Sequence, residues 1–122
     1  QLAELYLRYG ESRLRRGDYD SALEVLQQGC KATSYSSALE LWELIAAIQC
    51  RQRKSDEALM AIGKLDEAIR QAHDFYLANP LRDSLREQEM QRLARVRWHA
   101  AFLRCQQTLQ STPSWEATQA LA

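Results

Sequence analysis

An all-α fold is what this sequence predicts, and three observations predict it. Ala and Leu supply 35 of the 122 residues, whereas Val, Ile and Thr together supply 10. Alanine and straight-chain residues lose little side-chain entropy in a helix, while β-branched ones suit strands. Only 4 glycines and 2 prolines punctuate the chain. Between them, apolar residues recur at spacings of three and four, the period of one helix face. These features disfavour an all-β domain or a parallel-sheet enzyme. The length suits one domain, residues 1–122, large enough to bury a core without a disulfide or metal. A start at Gln1 with no secretory leader suggests a segment of a longer, cytoplasmic protein.

The elements follow in order. The first helix is expected over 2–16, with Leu2, Leu5, Tyr6, Tyr9 and Arg13 on one stripe and Gly17 ending it. Asp18 caps a second helix, whose buried side is Ala22, Leu23, Val25, Leu26 and Cys30. Ser34 to Ser37 break the chain, and Ser37 with Glu40 has the spacing of a capping box. A third helix spans 38–51 with Leu41, Trp42, Leu44, Ile45 and Ile48. Ser55 caps a fourth, with Asp56 and Glu57 at its electropositive start. Its periodicity continues through Gly63 to about Ala78, so one long helix is expected, at a glycine cost of about 1 kcal/mol. Asn79-Pro80 marks the next boundary. A fifth helix over 81–95, a sixth over 98–109 and a short terminal helix after Thr112-Pro113, bearing Trp115, complete the expectation.

The chain repeats itself. Tyr6, Tyr9, Gly10, Gly17, Tyr19, Ala22 and Leu26 fall at spacings that resemble a tetratricopeptide (TPR) repeat. Trp42, Ile45, Ala46 and Ala58 form a second copy, with Arg53 where a turn glycine is expected. Leu85, Gln88, Gln91, Ala100 and Thr112 form a looser third. The implied architecture is a TPR-like stack of about three antiparallel helical hairpins with a short C-terminal helix. The second half, with Asp66-Glu67-Ala68-Ile69, Asn79-Pro80-Leu81-Arg82 and the tail from Pro113 to Leu121, resembles the bacterial transcriptional activator domain of bacterial regulators.

These resemblances imply a non-catalytic interaction, sensory or oligomerisation module of a transcription regulator. The alternative is a stand-alone TPR chaperone or adaptor for a peptide or secretion partner. TPR groove positions, carried onto this chain, are Glu4, Leu7, Glu11 and Arg15 from the first copy. The second copy adds Glu40, Glu43, Ala47, Cys50 and Arg51, and the third Arg82, Leu85, Glu89 and Arg92. Arginine forks suit carboxylates, so an acidic peptide is the expected guest, with Arg82 and Arg92 holding it.

Little else in the sequence points to chemistry. His73 and His99 lack metal-ligand spacing, and His73-Asp74 are neighbours whose side chains are expected to diverge on a helix. No phosphate-binding glycine loop or nucleophile elbow occurs. Cys30, Cys50 and Cys105 are too scattered for a redox pair and are expected as reduced thiols. No catalysis, cofactor or metal is therefore expected. With 16 basic and 16 acidic residues, direct nucleic-acid binding is not expected either, nor is a membrane span. The partner is expected to be a protein or peptide, or a second copy of the chain.

Overall fold

The computed structural model describes residues 2–35, 37–79 and 83–111. Its helices are α1 (Leu2–Arg15), α2 (Tyr19–Ala32), α3 (Leu39–Arg51), α4 (Ser55–Ala78) and α5 (Asp83–Ser111). No strand occurs among the described residues. Consecutive helices pair antiparallel, and α3 also packs on α1 and α5, giving the TPR-like stack of hairpins. None of the described helices is long and apolar enough to cross a membrane.

The two hairpin turns share one backbone design. After α1, the Gly17 N–H donates to the Leu14 carbonyl at 2.9 Å and the Asp18 N–H to that of Arg13 at 3.1 Å. After α3, the Arg53 N–H donates to Cys50 and the Lys54 N–H to Gln49, both at 3.1 Å. Both turns need a left-handed residue, and φ is 77° at Gly17 and 59° at Arg53. Arg53 thus adopts the left-handed conformation that glycine takes at position 17. Asp18 caps α2 as expected, its Oδ1 accepting from the Ser21 N–H.

Two apolar cores result. Ala22, Leu26, Leu41, Ile45, Ala46 and Ile62 centre the first, between the hairpins. Leu39, Leu65, Ala68, Ala72, Leu93 and Val96 centre the second, between α3, α4 and α5. Trp42 borders both. The long α4 passes unbroken through Gly63, as its periodicity indicates.

Several expectations need correction. Leu2, Leu5 and Tyr9 are exposed; of the expected stripe Tyr6 does pack inward, joined by Ala3, Leu7, Gly10 and Leu14. A glycine at the centre of the inward stripe carries no hydropathy, so periodicity alone shifts the stripe by one residue. The Ser37–Glu40 capping box does not form: α3 starts after Ala38 with no side-chain cap, and Glu40 binds Arg92. Ser55 is the first residue of α4, with Lys54 at the cap position.

The largest correction is α5. Residues 83–111 form one helix, not two separated near Val96. No glycine or proline interrupts 95–98, and Leu93, Val96, Ala100, Leu103 and Gln107 are buried along one continuous stripe. The third hairpin therefore gives way to a single helix lying antiparallel to α4 and beside α3. The Pro80-Leu81-Arg82 step, Thr112-Pro113, Trp115 and the tail to Leu121 lie outside the described residues.

Candidate functional site

The first, third and fifth helices line one side of the stack, and α5 runs parallel to α3 there. Glu40 and Glu43 stand one turn apart on α3, opposite Arg92 and Arg95 on α5. Arg92 forks onto Glu40, its Nε to Oε1 and its Nη2 to Oε2 at 2.7 Å. Its Nη1 donates to Glu89 Oε2 at 3.0 Å, and the Tyr76 hydroxyl donates to the same oxygen at 2.8 Å. Arg95 Nη1 lies 3.2 Å from Glu43 Oε2, and His99 Nδ1 lies 2.7 Å from that oxygen. Glu43 is buried, so these partners supply the charge compensation its carboxylate needs.

The electrostatics follow from that ladder. Hydrogen bonding to the Glu40 carboxylate holds the Arg92 guanidinium well above its ordinary pKa. Burial, reinforced by the bond to Glu89, raises the Tyr76 phenol above its ordinary value.

Two hollows open on this side. One, of about 590 Å³, is walled by Glu4, Leu7, Glu40, Tyr76, Glu89 and Arg92. The other, of about 430 Å³, has a leucine floor of Leu7, Leu14 and Leu44 beneath Glu11, Arg15 and the Glu43–Arg95–His99 cluster. They share Leu7 and Glu40, so they are parts of one groove.

The sequence-derived groove set is only partly gathered. Glu4, Leu7, Glu11, Arg15, Glu40, Glu43, Glu89 and Arg92 line it. Cys50 does not: it is fully buried in the first core, where desolvation raises its pKa and a hydrogen bond from Gln107 partly offsets this. Ala47 packs half-buried against that core. Arg51 and Leu85 are exposed but line neither hollow, and Arg82 lies outside the described residues. Leu14, Leu44, Tyr76, Arg95 and His99, together with Ala3, Ser37 and Leu41, line the hollows without having been expected there. The signal for Arg95 was the matched three-residue step of Glu40–Glu43 and Arg92–Arg95, which becomes legible once α3 and α5 are known to be neighbours.

Elsewhere, His73 Nδ1 comes within 3.7 Å of Asp74 Oδ1, closer than divergence implies but beyond a hydrogen bond. No three His, Cys, Asp or Glu side chains gather into a metal-binding group among the described residues. The fold and groove define an all-α stack of helical hairpins with one ionically laced face. No family model, curated protein or solved structure matches the chain.

Proposed function

We propose that the chain is a non-catalytic interaction module that receives a protein segment along the α1/α3/α5 groove. We further propose that it serves as a sensory or oligomerisation part of a bacterial transcription regulator. The supporting observation is the groove itself, a leucine floor between charged rims on the side where TPR-like stacks present their first helices. The regulator context rests on the resemblance of the second half to the bacterial transcriptional activator domain.

The ion pairs argue for a different guest from the acidic peptide expected above. Arg92 and Arg95 are engaged by Glu40, Glu43 and Glu89 of the same chain. A guest carboxylate would have to displace those partners. Around the hollows, Glu4, Glu11, Glu40, Glu43 and Glu89 exceed Arg15, Arg92, Arg95 and the Arg8 that pairs with Glu4 by one charge. The guest is thus an amphipathic segment with an apolar side toward Leu7, Leu14 and Leu44 and basic flanks.

The test is a charge swap, Glu11→Lys with Arg15→Glu, placed in the full-length parent protein. Neither residue has an ion-pair partner among the described residues, so the melting temperature should hold while partner affinity or regulatory response falls. A folded variant with an unchanged response overturns the groove assignment. The adaptor alternative uses the same face. A helix-turn-helix segment elsewhere in the parent reading frame supports the regulator, and a complete short frame supports the adaptor.

A further inference from the structure

The opposite side of α3 carries a second recess. While Glu40, Glu43 and Leu44 face the groove, Trp42, Ile45 and Gln49 point to the seam between α2 and α4. There a cavity of about 410 Å³ is walled by Gln27, Cys30, Lys31, Tyr35, Trp42 and Lys64. It continues into a smaller one of about 210 Å³ that shares Gln27, Trp42 and Lys64. The larger volume lies within the range of small-molecule sites, and its walls have the mixture such sites use, aromatic surface with a few polar groups.

The charged groups are both cations, Lys31 and Lys64, while the Thr33 hydroxyl on the same wall donates to the Gly29 carbonyl at 2.8 Å. Neither Lys31 nor Lys64 makes a hydrogen bond or ion pair among the described residues; Glu67 feels the Lys64 charge but is bound by Arg70. The Tyr35 hydroxyl and the Trp42 indole N–H likewise have no protein partner there. No carboxylate lines the larger cavity, and Glu57 appears only in the smaller. The wall at Cys30 is poorly solvated: burial pushes its thiol up to about 12. A pocket with two cations, no carboxylate and aromatic walls favours an anion that brings an apolar ring.

We propose that this recess is a binding site for an aromatic carboxylate, its ring against Trp42 and Tyr35 and its carboxylate between Lys31 and Lys64. The chemistry differs from that of the peptide groove, and the site lies on the other face of α3. It therefore stands whether or not the groove assignment does.

The test is a titration of the folded chain with naphthalene-2-carboxylate, followed by backbone amide shifts and calorimetry. Naphthalene-2-carboxamide, the same ring without the charge, and decanoate, the charge without a ring, serve as comparisons. The carboxylate should saturate with shifts centred on residues 27–42 and Lys64, and bind about tenfold more tightly than either comparison, roughly 1.4 kcal/mol. The double variant Lys31→Gln, Lys64→Gln should keep its melting temperature and lose the preference for carboxylate over carboxamide. Absence of saturable shifts at millimolar carboxylate overturns the site. Shifts centred instead on the exposed Trp98 and Phe102 of α5 do the same. Equal binding of carboxamide, or an unaffected lysine variant, overturns the anion assignment, and equal binding of decanoate overturns the aromatic one.

Discussion

In the first hairpin, α1 and α2 meet through Gly10 and Gly29; in the second, 36 residues on, Ala46 and Leu65 hold the same places, both buried. The turns differ in the opposite sense, with glycine at 17 and arginine at 53 in the same left-handed conformation. The first hairpin thus places its glycines where helices touch and where the chain turns. The second fills its contact with side chains and accepts a strained turn. Their ion pairs differ too. Glu4–Arg8 on α1 is exposed and local, whereas Glu40–Arg92 joins two helices and is three-quarters buried. A shared backbone plan therefore does not imply shared sources of stability.

Gly29→Ala should break this comparison most strongly. A Cβ there would lie 2.7 Å from Tyr6 Cβ and 3.0 Å from Leu41 Cδ1. Tyr6 Cβ is fixed to its backbone, so α1 must shift, and overpacking should cost about 3 kcal/mol despite alanine's better helix propensity. Urea unfolding measures it. A loss below about 0.5 kcal/mol would show that α1 is loosely seated.

Next in size is Arg92→Met, which leaves Glu40 without its fork at a partly buried site. A loss of about 2 kcal/mol is expected, against about 0.5 kcal/mol or less for Arg8→Met on α1. Parallel thermal melts of the two variants test this difference. A matched small effect would make the α3–α5 ladder a surface ornament. An Arg92 variant used to probe docking therefore reports on the fold as well.

The turns offer a reciprocal pair of smaller effects. Gly17→Ala should destabilise by about 1 kcal/mol, since φ is 77° and no atom lies within 4 Å of the added Cβ. Arg53→Gly should stabilise by about the same amount, relieving φ of 59°. Equal signs in chemical denaturation would refute the common turn design.

The smallest effect is alkaline and belongs to the second hairpin. Because the folded-state pKa of Tyr76 is raised, the folded protein retains a proton that the unfolded chain releases. Its contribution is complete below the unfolded value near pH 10 and is lost as pH rises through the folded one. Tyr76→Phe should flatten that part of the urea-midpoint profile, and an unchanged profile would show that the phenol contributes nothing there.

Legibility in the sequence varied with the kind of physics involved. Helix ends marked by Gly17, Asp18 and Asn79 were visible, because left-handed turns and side-chain caps are local. The continuity of α4 through Gly63 was visible as well, since periodicity on both sides outweighs one glycine. The inward stripe of α1 was misjudged because Gly10 contributes contact without hydropathy. The expected break between 95 and 98 has no local basis, since those residues contain no glycine or proline to stop a helix. At the groove, eight of thirteen expected residues lie on its walls. Cys50 was misplaced by one helix face, and Arg95 and His99 depended on which helices become neighbours.

The sequence by itself determined the helical class, the hairpin turns and the 36-residue spacing between the buried Ala22 and Ala58. Each follows from backbone entropy and spacings within a few residues of one another. Only the tertiary structure decided that α5 is a single helix beside α3, that Glu40 and Glu43 bind Arg92 and Arg95, and that Lys31 and Lys64 flank a Trp42-floored recess. Those outcomes join residues far apart in the chain, and charge pairing and burial between them are decided when the helices pack.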